Sequence, residues 1–204
     1  MEIKKLISQN YRSNTFIIYS GKHCAVVDPG MESGLIIQAI KEMGLSPVFV
    51  LLTHGHFDHI FSLDTLKKHF DIPVYIHEDD AEMLTDSNKN AYSFFFADSF
   101  RQNKADFTFK DGDRLNINNE DLTVIHTPGH SKGSSCFMCG RHLLTGDTLF
   151  ENGIGRSDLY GGDEHKLFDS LKALGAIENK GSIKIYPGHG GCSLLSDALD
   201  KVLY

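Results

Sequence analysis

Residues 53–59, Thr-His-Gly-His-Phe-Asp-His, place three imidazoles and a carboxylate directly after the apolar run at 48–52. Imidazole nitrogen and carboxylate oxygen are donors that suit zinc, iron or manganese, and the lack of a neighbouring thiolate argues against a cysteine-rich structural zinc site. Three more apolar runs end on the same kind of donor: 122–126 leads to His130, 142–146 to Asp147, and 183–187 to His189. Side chains at the ends of several strands can converge on one crevice although they lie far apart in sequence. The glycines before His130, Asp147 and His189 suit tight turns that swing a side chain toward a shared point. Any one of these histidines is explained equally well by a polar surface turn. The set His54, His56, Asp58, His59, His130, Asp147 and His189 exceeds the three protein ligands of a single catalytic zinc and suits two ions sharing a carboxylate.

The elements that must position these donors alternate along the chain. Strands are predicted at 16–19, 24–28, 48–52, 73–77, 122–126, 134–139, 142–146 and 183–187, and helices at 32–43, 58–70, 78–84, 164–175 and 193–203. In the first helix Leu35, Ile36, Ala39, Ile40 and Met43 fall on one stripe. Strands follow one another as well as alternating with helices, so the pattern predicts sheets covered by outer helices, not a doubly wound sheet. Residues 85–107 show neither period, and a loop of that length in a compact domain is usually functional or mobile. Its cluster of Phe94, Phe95, Phe96 and Phe100 reads as core or self-association in preference to a pocket cap.

With 204 residues, 41% apolar and 23% charged, the chain reads as one globular domain over 1–204. A formal charge of −7 without a basic tract argues against nucleic acid or an anionic membrane as partner. The polar N-terminus lacks the apolar stretch of a signal peptide, and no run approaches the roughly 20 apolar residues of a membrane span. A cytoplasmic location is expected, with Cys24, Cys136, Cys139 and Cys192 as reduced thiols. Cys136 and Cys139 stand three apart on a predicted strand, pointing to opposite faces, so they read as buried strand residues before a redox or zinc pair. A homo-oligomer stays open.

The run His54-x-His56-x-Asp58-His59 resembles the His-x-His-x-Asp-His signature of the metallo-β-lactamase superfamily. The stretches 126–134 (His-Thr-Pro-Gly-His-Ser-Lys-Gly-Ser), 143–150 (Leu-Leu-Thr-Gly-Asp-Thr-Leu-Phe) and 185–190 (Ile-Tyr-Pro-Gly-His-Gly) are similar to the later motifs of its glyoxalase II branch. The likeness runs in order from about residue 14 to residue 191. It implies an α+β fold, the four-layer αββα sandwich of two mixed sheets flanked by helices, with a two-metal site at one edge. By matching position it assigns His54, His56 and His130 to one ion and Asp58, His59 and His189 to the other, with Asp147 bridging. Asp28, in an Asp-Pro-Gly, would support the histidine loop without touching metal.

The resemblance further implies two divalent ions, zinc first, with iron or manganese open. It implies a hydrolase in which hydroxide held between the ions attacks a thioester, with Asp58 orienting the nucleophile. S-(2-hydroxyacyl)glutathione of the S-lactoylglutathione type is the expected substrate. Arg156 would meet a substrate carboxylate, or else pair internally with Asp158 or Asp163; Asp158 stands where the longer members of the branch carry an aromatic. The alternatives are a mononuclear-iron persulfide dioxygenase or a hydrolase of another small ester or thioester. β-Lactam hydrolysis ranks lower, because true β-lactamases of this fold lack a carboxylate at the Asp147 position.

Overall fold

In a computed structural model, residues 1–203 form two six-stranded sheets packed face to face with helices outside each. The first sheet holds β1 (Glu2–Ile7), β2 (Asn14–Ser20), β3 (His23–Val27), β4 (Ser46–Leu51), β5 (Val74–His77) and β6 (Phe107–Phe109), side by side in chain order. β1, β2 and β3 pair antiparallel and β3 to β6 parallel, so the sheet is mixed. In the second sheet β7 (Arg114–Ile117), β8 (Glu120–His126), β9 (Ser135–Cys139) and β10 (His142–Gly146) form an antiparallel meander. β13 (Lys184–Pro187) then adds parallel to β10, and β14 (Ser193–Leu194) closes the edge. A small ribbon, β11 (Leu149–Phe150) with β12 (Gly153–Ile154), lies apart.

The central strands are apolar at consecutive positions because both faces are covered. In β2, Phe16 and Ile18 enter the layer between the sheets, while Ile17 faces Ile36 and Ile40 of α1 (Ser33–Glu42) and Leu63 and Leu66 of α3 (Leu63–Phe70). In the second sheet, Phe137 and Leu144 face inward. Cys136 and Leu143 pack under Leu171 and Leu174 of α5 (Glu164–Gly175) and Leu199 of α6 (Leu195–Leu203). Three stacked apolar layers thus separate four layers of structure, the αββα sandwich expected. Cys136 and Cys139 fall in different layers, as their spacing predicts, and burial pushes the Cys136 thiol up to about 11. No helix among the described residues is long and apolar enough to cross a membrane.

Four expectations are corrected. The helix over 58–70 is two: α2 (Phe57–Ile60) and α3, broken at Ser62, whose N–H donates to the Pro29 carbonyl and whose hydroxyl donates to Met31. Residues 78–85 form a 3-10 helix. The helix over 193–203 gives its first two residues to β14. Within 85–107, Phe94, Phe95 and Phe96 stay exposed, so the core reading fails for them; Phe100 alone packs on the outer layer. That long segment has one turn of helix, α4 (Tyr92–Phe95), and is tied down by Ser87 and Asn90, which donate to the Phe100 carbonyl at 2.8 and 3.0 Å.

Candidate metal centre

All seven sequence-predicted donors meet at one rim of the sandwich, where the first sheet's β4 and the second sheet's β8, β10 and β13 end. His54 and His56 sit in the turn after β4, and Asp58 and His59 on α2; His130 follows β8, Asp147 β10 and His189 β13. Backbone bonds stitch the two sheets beside them: Asn14 N–H donates to Gly188 O at 2.6 Å and Ser135 N–H to Thr53 O at 2.9 Å. Two glycines are forced by close approach. A β-carbon on Gly188 would lie 2.1 Å from Asp147 Oδ1, and one on Gly30 would lie 1.7 Å from the Asp58 carbonyl oxygen.

The hydrogen bonds behind the rings fix which nitrogens carry protons. His130 Nδ1 faces the Arg156 carbonyl at 2.7 Å and His189 Nδ1 the Arg12 carbonyl at 3.2 Å. A carbonyl only accepts, so both Nδ1 atoms donate. His59 Nδ1 faces Asp28 Oδ2 at 3.0 Å and donates likewise. Thr53 gives its hydroxyl proton to Asp28 Oδ2 at 2.6 Å, so His54 Nδ1, 3.0 Å away, donates to the threonine oxygen. With Nδ1 spent on these partners, Nε2 is the nitrogen each of the four rings turns inward, and it is the atom left free to ligate once it carries no proton. Asp28, whose φ of +50° follows the end of β3, orients the loop through Thr53 and His59.

The inward atoms of the donor side chains face one another. His54 Nε2 and His56 Nδ1 lie 3.2 and 2.8 Å from His130 Nε2. His59 Nε2 lies 3.4 Å from His189 Nε2 and 3.4 Å from Asp147 Oδ1, a buried oxygen without a hydrogen-bond partner. Asp147 Oδ2 is 3.7 Å from His130 Nε2 and 3.5 Å from His189 Nε2, and Asp58 Oδ2 is 3.2 Å from His189 Nε2. Acceptor atoms gathered at such spacing, out of water, repel unless a proton or a metal ion sits among them. Two groups of three ring and carboxylate donors could each hold an ion: His54 with His56 and His130, and Asp58 with His59 and His189. The donor set fits two metal ions, and Asp147 reaches both groups.

Protonation follows the same field. Burial, then the neighbouring rings, holds His54 and His56 well below the ordinary histidine range. Burial would lower His59 too, but the carboxylates of Asp147, Asp58 and Asp28 overcome it and raise the ring to about 10. The metal-stripped protein therefore draws stability from a protonated His59. That contribution is complete below the unfolded value of about 6.5 and lost as pH rises toward 10. Melting temperature of the stripped protein is expected to fall between pH 7 and 10, and the metal-loaded protein, whose His59 Nε2 would carry no proton to lose, to show a flatter profile. Parallel profiles in calorimetry would contradict this assignment.

One supporting residue has no sequence signal. Asp80, buried in the 3-10 helix, accepts from Ser131 Oγ at 2.6 Å, Gly133 N–H at 2.7 Å and Gly55 N–H at 3.2 Å. It ties the His54–His56 turn to the His130 turn through their backbones. Burial raises its carboxyl above the usual range. Two of its donors share Oδ2, so an amide there sets N–H against N–H. Asp80→Asn is expected to weaken metal affinity about 10- to 100-fold, the usual effect of losing such a support, read by competition with a chelating dye. Unchanged affinity would show that the two turns hold themselves.

A sandwich of this kind with nitrogen and carboxylate donors at one rim is a metal-binding scaffold. The family described as "Metallo-beta-lactamase superfamily" matches residues 10–189, and the chain belongs to it. A probable metallo-hydrolase of Bacillus subtilis, YqgX, is 38% identical over 162 residues, 78% of this chain and 77% of that one. Among solved structures, the BLEG-1 B3 metallo-beta-lactamase superposes with a TM-score of 0.90 at 32% identity, covering 98% of this chain and 97% of its own. TTHA1623 in a di-iron-bound form superposes with a TM-score of 0.84 at 30% identity, covering 95% and 96%. The chain is thus a metallo-hydrolase of that superfamily.

Proposed function

We propose that the protein is a two-metal hydrolase of a small-molecule thioester. The observation that carries this reading is the ring of inward-facing nitrogens, held there by carbonyl, hydroxyl and carboxylate partners behind them, with Asp147 between the two groups. His54, His56 and His130 would hold one ion, Asp58, His59 and His189 the second, and Asp147 both; zinc is the first expectation, and the di-iron relative keeps iron in view. Bound there, the ions supply Lewis acidity that ionises water near neutral pH and polarises a carbonyl.

The chain's own residues do the rest. Burial would raise the Asp58 carboxyl, but His59 and His189 hold it below the usual range, so it stays anionic, with its side chain open to the cavity. It is placed to orient the attacking water and accept its hydrogen bond. Phe57, Phe95, Phe150 and Leu159 wall the cavity and exclude bulk water. The water oxygen bonds to the carbonyl carbon, the carbon–sulfur bond breaks, and acid and thiol leave. No serine or cysteine nucleophile is needed; burial pushes Cys24 up to about 12. A cytoplasmic setting goes with this reading.

The test is release of thiol from a thioester panel by metal-loaded protein, with glutathione, coenzyme A and plain aryl or alkyl thiols as carriers. S-Lactoylglutathione is the member the motif resemblance points to. Turnover of at least one carrier that is lost on chelation is expected; a fully loaded protein that releases no thiol contradicts the reading. A chromogenic cephalosporin and oxygen uptake on glutathione persulfide belong in the same panel. The first addresses β-lactam hydrolysis, which the likeness to the B3 enzyme favours as a second reading.

A further inference from the structure

The cavity above the donors is about 250 Å3 and lined by Phe57, Ala91, Phe95, Phe150 and Leu159 around the histidines and aspartates. Arg156 is the cationic side chain on that lining, and it is already engaged. Its Nε and Nη2 donate to the two carboxylate oxygens of Asp158 at 2.6 and 2.8 Å. The guanidinium carbon lies 5.4 Å from the centre of the Phe94 ring and 6.0 Å from that of Phe95. Phe95, on the lining, is 50% exposed, and its chain neighbours Phe94 and Phe96 are 66% and 40% exposed. Internal pairing, not an open carboxylate site, is what Arg156 shows.

We infer that the pocket selects substrates whose non-reacting part is apolar and uncharged, and that Asp158 is a specificity-determining residue because it occupies the Arg156 guanidinium. A carrier bearing a carboxylate near Arg156 must displace Asp158 or sit against its charge. An aryl or alkyl carrier need only strip water from phenylalanine faces. The Arg156–Asp158 pair is solvent-exposed, and exposed pairs are worth roughly 1 kcal/mol or less, so removing Asp158 frees the guanidinium without much cost to the fold. For the chemistry the inference rests on the thioester reading; for binding it does not.

The test separates the two. Unreactive thioethers carrying one acyl-like group and either a benzyl or a 4-carboxybenzyl carrier are titrated calorimetrically into metal-loaded wild type and Asp158→Asn. Wild type is expected to bind the benzyl compound at least about tenfold more tightly. In Asp158→Asn the carboxylate compound is expected to gain about fivefold, the equivalent of the pair's worth, with a smaller change for benzyl, and Asp158→Asn/Arg156→Gln to lose the gain. Equal affinities in wild type, or equal shifts of both compounds in Asp158→Asn, overturn the inference. If the thioether preference holds while the matching thioesters release no thiol, the pocket assignment stands and the thioester reading falls.

Discussion

Asp58→Asn is expected to lower kcat by about two to four orders of magnitude, the range for loss of a positioned proton-handling group, with a small effect on KM. The carboxylate has Oδ2 3.2 Å from His189 Nε2 and 3.7 Å from His59 Nε2, and its side chain still reaches the cavity. An amide keeps an oxygen donor but gives up the negative charge and the ability to take a proton. Metal analysis beside the kinetics separates the roles: a catalytic loss with most of the metal retained assigns Asp58 to orientation of water. Near-normal turnover with full metal content would remove Asp58 from the mechanism.

The second large effect is at Asp147. Its oxygens face both nitrogen groups, with Oδ1 3.4 Å from His59 Nε2 and Oδ2 3.7 Å from His130 Nε2. Asp28 has no such reach, since both its oxygens are spent on Thr53 and His59 Nδ1. Asp147→Asn replaces one ligand oxygen with an N–H2 that cannot ligate, and removes the charge that would offset two cations in a buried site. Metal content is expected to fall to about one ion per chain or less. Activity should fall at least about a thousandfold, as when a whole catalytic group goes. Retention of two ions with activity within tenfold of wild type would show that the six remaining donors suffice.

The centre was legible because His54, His56, His130, Asp147 and His189 stand within five residues of a strand end, and Asp58 and His59 follow the first of these runs on α2. The glycine before His130 takes φ +136° and the one before Asp147 φ +48°. The one before His189 instead makes room against Asp147. The central strands were legible as apolar runs because both faces are buried. β1 was not: Glu2, Lys4 and Lys5 break its apolar positions, as suits an edge strand half open to water. β7, another edge strand, alternates Arg114 and Asn116 with Leu115 and Ile117 over only four residues. The break at Ser62 was hidden because the bonds that cause it come from Pro29 and Met31, some thirty positions away. Asp80 was hidden for a similar reason. Two of its three partners are backbone N–H groups of distant turns, which leave no mark on residue type. Arg156 could be read only as a cation with two possible uses until the bidentate contact with Asp158 was seen.

Anomalous diffraction at the metal edge from crystals of the purified protein tests the central claim most directly. Two peaks are predicted, one among His54, His56 and His130 and one among Asp58, His59 and His189, with Asp147 reaching toward both. A single peak would contradict the two-metal account and favour one-ion chemistry. No peak at this rim after soaking with zinc, iron or manganese would remove the metal centre itself.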